Sequence, residues 1–297
     1  MRHSAILLLA LAAACAEEGG GGEIEREDAA ACRIVARDLT LPEDIREASG
    51  VAFSRTLRGV LWTHNDSGNQ PALFAIDGRA GEVATLEVPA AILDWEDMAL
   101  GPCPEGSCVY LADTGDNGRG EGPITLLVAP EPRAADAPVG PLRSYTARYP
   151  DGRQRDAEAM FVLPSGDVYL ITKGSSDPIE IFRWPTPLRE GTTVTLVSVR
   201  SLGARPDQPG DRVTGAGASQ DGRFVAVRTY SLLNVYRTAD LLGGGAPTPV
   251  RRTDLVPLGE AQGEGVALAD DGTVALVSEG HGKHVPGTLS LLHCPLQ

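Results

Sequence analysis

The feature that most constrains the fold is an internal repeat of about fifty residues. Five short segments align without gaps, and their third positions lie 47, 62, 56 and 50 residues apart. The segments are EASGVAF (47–53), DWEDMAL (94–100), DAEAMFV (156–162), RVTGAGA (212–218) and QGEGVAL (262–268). Each segment is followed by further short apolar runs, such as VLWTHN, ALFAID and VATLEV after the first. Such a period is typical of similar units that pack side by side.

The apolar runs within each repeat are short, β-branched and separated by turn residues, which predicts four antiparallel strands per unit. The 35 Gly and 22 Pro supply many turns. Four-stranded units repeated around an axis form a β-propeller. The last repeat lacks a fourth strand, which CRIVARDLTL (32–41) would supply from the other end of the chain. The sequence therefore predicts an all-β fold with five blades. Six blades remain the alternative, because the 62-residue interval could contain a degenerate one.

The N-terminus is typical of an export signal. A basic start and an apolar run at 6–14, too short to span a bilayer, end in Leu-Ala-Ala-Ala-Cys at 11–15. These residues resemble the bacterial lipobox, which implies cleavage before Cys15 and its lipidation. An ordinary signal peptide is the alternative. We expect a signal peptide (1–14), a lipidated Cys with a flexible tether (15–31) and one propeller domain (32–297). Ala16 after the Cys favours anchoring in the outer membrane of the cell envelope.

The cysteine count agrees with export. Five Cys less Cys15 leave four, an even number suited to disulfides in an oxidising compartment. Cys103 and Cys108 flank a four-residue turn and predict a small disulfide loop. The strands at 32–41 and 288–293 would share a blade, so Cys32 and Cys294 should be neighbours. A metal site is the alternative role of these four cysteines, but no CxxC spacing supports it.

The charge balance excludes one class of partner. Lys and Arg total 26 against 40 Asp and Glu, which gives a net charge of −14. Nucleic acid would be repelled by such a surface. Only two residues are Lys, so contact with a membrane is expected only through the lipid anchor. We expect a monomer whose partner is a small molecule, a glycan or a protein.

Acidic residues recur at one position of the repeat. In a propeller, the start of each first strand and the end of each second strand lie at the same mouth of the channel. The third position is Glu96, Glu158 or Glu264 in three repeats, and acidic residues also occur two positions earlier. Carboxylates this close need a proton or a cation. Hard oxygen ligands suit calcium or magnesium, so we expect a divalent cation, with calcium preferred. The alternative is a channel lining that caps strands or pairs with Arg212 and Lys173.

The motifs HNDSG, DWEDMA, DTGDN, DAEAM and QGEG, in this order, resemble a family of secreted bacterial β-propellers across about residues 45–280. More distantly, the glutamates that open inner strands are similar to those of calcium-dependent gluconolactonases, phosphotriesterase-like propellers and phytase/esterase-like propellers. This resemblance implies a metal at the channel mouth held by the three glutamates together with Asn65 and Asn117. Ser49 and Thr214 depart from the pattern, because they interrupt the ring of glutamates.

Two functional hypotheses follow from these residues. The first is a module that binds a ligand or partner at the cell envelope, with the cation as part of its site. The second is a metal-dependent hydrolase of an ester, lactone or phosphoester. In the hydrolase, Asp97, His64 or His281 would be the base, and Lys173 or Arg228 would stabilise developing negative charge. The sequence shows no unambiguous base beside the metal, so the binding module is preferred.

Overall fold

The computed structural model describes residues 31–77, 83–90, 94–116, 122–281 and 285–296. These ranges contain twenty-one strands and, apart from two 3-10 turns, one helix, α1 (Thr238–Leu242). No helix among the described residues is long and apolar enough to cross a membrane. The predicted signal peptide, Cys15 and Asn117 lie outside the described residues. The all-β prediction is confirmed.

The strands form five sheets, one for each repeat. The chain enters through β1 (Arg33–Thr40), which joins the last blade. Blade 1 is β2 (Ala48–Phe53), β3 (Val60–Asn65), β4 (Ala72–Asp77) and β5 (Val83–Glu87). Blade 2 is β6 (Trp95–Cys103), β7 (Gly106–Asp113), β8 (Ile124–Pro130) and β9 (Arg143–Arg148). Blade 3 is β10 (Ala159–Val162), β11 (Val168–Ile171), β12 (Ile179–Arg183) and, after β13 (Thr193–Thr195), β14 (Val197–Gly203).

Blade 4 is β15 (Val213–Ala218), β16 (Phe224–Thr229), β17 (Leu232–Arg237) and β18 (Arg251–Asp254). Blade 5 is β19 (Gln262–Leu268), β20 (Thr273–Glu279), β21 (Thr288–His293) and β1. The first strands of the blades contact one another in a closed ring, in the order β2, β6, β10, β15 and β19. The five-bladed propeller is therefore confirmed, and the six-bladed alternative is wrong.

Apolar side chains hold neighbouring blades together. Among the described residues, a buried cluster lies between each pair of adjacent blades. Trp62 and Trp95 pack between blades 1 and 2, and Trp184 packs between blades 2 and 3. Burial of a large apolar side chain contributes about 1.5–3 kcal/mol, so these interfaces stabilise the ring. The tryptophans have a packing role and are not exposed as a binding platform.

Both predicted disulfides are present. Cys32 and Cys294 are joined beside the paired strands β1 and β21, with their Cα atoms 4.3 Å apart. This bond links the two ends of the domain within one blade. Cys103 and Cys108 are joined across the turn between β6 and β7. Gly106 has a φ of 107° in that turn, a conformation that L side chains rarely adopt.

The outer strands of blades 3 and 4 are irregular. The chain after β12 forms two short strands, of which β13 pairs in parallel with β9 of blade 2 and β14 pairs with β12 of blade 3. Leu196 separates the two strands; its side chain is buried and its N–H donates to the Arg148 carbonyl. In blade 4 the outer strand β18 is only four residues long, and residues 256–258 around Pro257 form a 3-10 turn soon after it.

Candidate metal centre

Acidic side chains from several blades meet at one mouth of the channel. They surround a cavity of about 110 Å3, which we call the acidic mouth, lined by Asp66, Glu96, Asp116, Asp156, Glu158, Lys173, Gln262 and Glu264. The lining combines residues at the starts of first strands with residues that follow second strands. This is the juxtaposition that the repeat predicts.

A local backbone irregularity recurs at the third position of the repeat. In blades 1, 2, 4 and 5 the pairing of the first and second strands is irregular across the positions of Ser49, Glu96, Thr214 and Glu264. In blade 3, Glu158 lies just before the start of β10. Such bulges change the direction of side chains and are common beside functional sites. The irregularity therefore explains why this one position supplies the acidic mouth.

Five carboxylates form two groups that share one member. Oxygens of Asp66, Asp94 and Glu96 lie within 4.8 Å of one another, and so do oxygens of Glu96, Asp156 and Glu158. Asp94, Glu96 and Glu158 are buried. Carboxylate oxygens at such spacing are the ligands that hard divalent cations prefer. The arrangement can bind a cation in either group, with Glu96 common to both.

Gly115 allows this close approach. A Cβ atom at residue 115 would lie 1.8 Å from Oε1 of Glu96 and 2.2 Å from Oδ2 of Asp94. Any other residue would displace both carboxylates. The glycine in the DTGDN motif therefore has a steric function beside the acidic mouth.

The carboxylates of the mouth hold protons more tightly than usual. Burial, followed by the charges of Glu158 and Asp66, raises the pKa of Glu96 well above its usual value. Burial and then Asp156 raise the pKa of Glu158 in the same way. Burial also raises the pKa of Asp66 to about 6. Without a cation, the mouth keeps part of its charge neutralised by protons.

Lys173 is the one cationic side chain among the described residues that line the mouth. Its Nζ donates a hydrogen bond to Oε1 of Glu158 at 2.6 Å. Burial alone would lower the pKa of Lys173, but its acidic neighbours, Glu158 first among them, and the hydrogen bond to Glu158 together outweigh this effect and the pKa rises. Lys173 is therefore an ammonium paired with Glu158, and one positive charge opposes six lining carboxylates.

Glu264 carries an acceptor without a partner. Its Oε1 accepts a hydrogen bond from Nε2 of Gln262 at 2.8 Å, whereas its Oε2 is buried and has no hydrogen-bond partner in the described part of the chain. A buried acceptor left without a partner costs about 1–3 kcal/mol. Burial raises the pKa of Glu264 to about 7. The oxygen therefore requires a proton or a cation.

Ser49 and Thr214 occupy the two repeats that lack a third-position glutamate. The Ser49 hydroxyl donates to the Glu96 carbonyl, and the Thr214 hydroxyl donates to the Glu264 carbonyl at 3.1 Å. Both hydroxyls thus tie adjacent first strands together. They support the backbone of two of the glutamates and do not line the mouth themselves.

Asn65 is engaged by the backbone. Its Nδ2 donates to the Asp44 carbonyl at 2.8 Å, and its Oδ1 accepts the N–H of Glu47 at 3.2 Å. Both side-chain atoms therefore fix the loop before β2, and Asn65 does not line the acidic mouth. In its place the structure brings Asp66, Asp94 and Asp156 to the glutamates. Asp94 and Asp156 lie two residues before Glu96 and Glu158, and this spacing is the sequence signal that identifies them.

The three candidate bases, His64, Asp97 and His281, do not line the acidic mouth. His64 is fully buried; its Nε2 accepts the Gly50 N–H at 3.2 Å and its Nδ1 donates to the Asn65 carbonyl at 2.9 Å. Burial lowers the pKa of His64 to about 4, so the ring is neutral at pH 7. Asp97 is buried in the ring and accepts three backbone N–H groups. His281 is exposed, and its backbone pairs with Val285.

Arg228 is a structural residue between blades 4 and 5. Its side chain is fully buried and forms an ion pair with Glu260. Its Nη1 also donates to the carbonyls of Gly265 at 3.2 Å and Val277 at 3.1 Å. All of these partners belong to blade 5 or the segment before it. Arg228 is therefore not placed to stabilise charge on a ligand at the acidic mouth.

The raised pKa of Glu264 predicts a pH dependence of stability in cation-free protein. Because its folded pKa of about 7 exceeds the usual 4.5, its stabilising contribution is complete below pH 4.5 and is lost as the pH rises through 7. Between pH 5 and 8, wild type should therefore lose about 2.5 kcal/mol more than Glu264→Gln. Urea unfolding at each pH measures this difference. Identical pH profiles for the two proteins would contradict it.

Comparison with known proteins supports the fold. No protein family model and no curated protein sequence matches the chain. The PQQ-bound aldose sugar dehydrogenase from Streptomyces coelicolor is 12% identical over 89% of this chain and 98% of that chain, with a TM-score of 0.53. The Malassezia sympodialis allergen Mala s 1 is 11% identical over 86% and 95% of the two chains, with a TM-score of 0.55. At these identities the similarity shows the fold alone, and the chain is a five-bladed β-propeller with an acidic channel mouth.

Proposed function

We propose that the acidic mouth binds a divalent cation, with calcium preferred. The observation that carries this proposal is the pair of carboxylate groups that share Glu96. Asp66 and Asp94 complete one group, and Asp156 and Glu158 complete the other. Calcium takes six to eight oxygen ligands in flexible geometry, which suits a site assembled from separate blades.

The electrostatics of the mouth support the same proposal. A cation would replace the protons that the buried carboxylates of the two groups otherwise need. Lys173 already compensates Glu158, so the group of Asp66, Asp94 and Glu96 has the greater need of a cation. We therefore favour this group as the primary position of the ion.

We further propose that the protein is a ligand- or partner-binding module. A cation at an open mouth keeps coordination positions for oxygen atoms of a bound small molecule, glycan or protein. The hydrolase hypothesis has less support, because His64, Asp97 and His281 are not among the residues that line the mouth. Arg228 is likewise committed to Glu260. Binding is the function that the geometry supports best.

Glu96→Gln is expected to abolish cation binding, because Glu96 belongs to both carboxylate groups. Calcium at 100 times its Kd should stabilise the wild type by about 2.7 kcal/mol, which raises the melting temperature by about 5–10 °C. The variant should lose this rise while its cation-free melting temperature equals or exceeds that of wild type, because a repulsive charge is gone. Thermal unfolding after chelation, with and without calcium, measures both values.

Glu43→Gln is the matched control, because it removes the same charge from a side chain that is 94% exposed. It should keep the full calcium response. The proposal is wrong if calcium, magnesium and manganese all leave the wild-type melting temperature unchanged and elemental analysis finds no metal.

We also propose that the propeller is exported and anchored to the cell envelope through lipidated Cys15, with the outer membrane favoured. The proposal is supported by the lipobox-like residues at 11–15 and by two disulfides that suit an oxidising compartment. Cys15→Ser is expected to move the protein from the membrane fraction to the soluble fraction. Fractionation and mass spectrometry of the N-terminal peptide measure this change. A wild-type protein that is already soluble would contradict lipidation.

A further inference from the structure

A second cavity lies at the opposite mouth of the channel. It has a volume of about 330 Å3 and is bounded by residues from all five first strands and from the turns that follow β2, β15 and β19. We call it the basal cavity. It shares no lining residue with the acidic mouth. Its walls combine small apolar side chains, among them Ala52, Ala99, Ala218 and Ala267, with a similar share of polar surface. A cavity on the axis that combines apolar walls with charged groups at its opening is a typical small-ligand site.

The polar groups of the basal cavity carry opposite charges. Arg55 follows β2, and its Nη2 donates to the Leu100 carbonyl in the wall at 2.7 Å. Asp270 and Asp271 follow β19 on another side of the opening. Asp270 accepts the N–H of Asp221 at 2.9 Å, and Asp271 accepts the N–H of Thr273 at 2.8 Å. Both carboxylates are therefore held in place by the backbone.

These charges do not neutralise each other by direct contact. Arg55 forms no ion pair with Asp270 or Asp271 among the described residues. Glu131 and Asp270 both act on the charge of Arg55. The guanidinium and the two carboxylates nevertheless line the opening, where a ligand that spans it can offer each of them a charge of opposite sign. A ligand with only a carboxylate would meet two repulsive aspartates, and one with only an ammonium would meet Arg55.

We propose that the basal cavity binds a small zwitterion with an apolar body, which is the chemistry of an apolar α-amino acid. Its carboxylate would contact Arg55, its ammonium would contact Asp270 or Asp271, and its side chain would enter the alanine-lined interior. The volume lies at the lower end of the range of about 300–1,000 Å3 for ligand cavities, which favours a single amino acid over a peptide. The proposal does not depend on cation binding at the acidic mouth.

Calorimetric titration of the purified full chain with L-leucine tests the proposal. Two analogues serve as comparisons: 4-methylpentanoate lacks the ammonium, and 3-methylbutylamine lacks the carboxylate. L-leucine should bind saturably, and each analogue should bind at least 10-fold more weakly. The proposal is overturned if neither L-leucine nor L-phenylalanine binds saturably, or if either analogue binds as tightly as L-leucine.

Variants identify the site. Arg55→Met should weaken L-leucine binding at least 10-fold, whereas Arg58→Met, at an exposed position in the same turn, should leave it unchanged. Ala218→Phe should abolish binding because it fills the cavity. Asp270→Asn should weaken L-leucine binding and strengthen 4-methylpentanoate binding, a reversal that a loss of folding cannot produce. Unchanged L-leucine affinity in Arg55→Met and Ala218→Phe would place the ligand elsewhere and overturn the proposal.

Discussion

Replacing Asp97 with alanine is expected to destabilise the native state by about 3–6 kcal/mol, because three buried N–H groups lose their acceptor. The carboxylate of Asp97 accepts the N–H of Met98 at 2.8 Å, of Met160 at 2.7 Å and of Ala216 at 3.2 Å. These donors belong to β6, β10 and β15, so one side chain joins the first strands of three blades. Urea unfolding of the variant and wild type measures the free-energy difference.

Asp97→Asn is the matched control. Asparagine has the same shape but one acceptor oxygen, which can serve Met160 and Ala216, while its amide nitrogen would then face the N–H of Met98. We expect a smaller loss of about 1–3 kcal/mol. The proposed structural role is contradicted if alanine costs less than 1 kcal/mol, or if asparagine and alanine are equivalent.

The repeat alignment sets Asp97 apart from the equivalent residues of the other four blades. Its fourth position is Gly50, Asp97, Ala159, Gly215 and Gly265, so one large polar residue stands among four small ones. A Cβ atom at Gly50 would lie 2.8 Å from Oδ1 of Asp97 and 2.4 Å from the Met98 nitrogen. Gly50 therefore leaves room for the aspartate side chain beside the ring axis. This signal was present in the sequence, but only the ring geometry shows that the side chain meets three backbone N–H groups.

The fold and the position of the acidic mouth could be predicted from the sequence better than the roles of individual polar residues. A fifty-residue period and the unpaired N-terminal strand were enough for five blades and for the Cys32–Cys294 bond. The recurrence of glutamate at one repeat position was enough to predict that Glu96, Glu158 and Glu264 lie in one region. Periodicity does not show which polar atoms the backbone engages, and for this reason Asn65 and His64 looked like site residues although both are held by nearby backbone groups.

Removal of the Cys32–Cys294 bond is expected to have the second large effect. The bond joins residues 262 positions apart, and the loop-closure relation gives a loss of about 5–6 kcal/mol when it is removed. Its cysteines border β1 and β21, the pair of strands that closes the last blade with chain from both ends. The double variant Cys32→Ala, Cys294→Ala should therefore unfold at much lower urea concentration than wild type under non-reducing conditions.

The double variant Cys103→Ala, Cys108→Ala provides the comparison, because its bond spans only 5 positions in one turn. The same relation gives a loss of about 2 kcal/mol for so short a loop. A difference of about 3–4 kcal/mol between the two variants would show that closure of the ring, and not the bond itself, is the source of the stability. Equal losses would mean that the hydrogen bonds between β1 and β21 hold the ring closed without the covalent link.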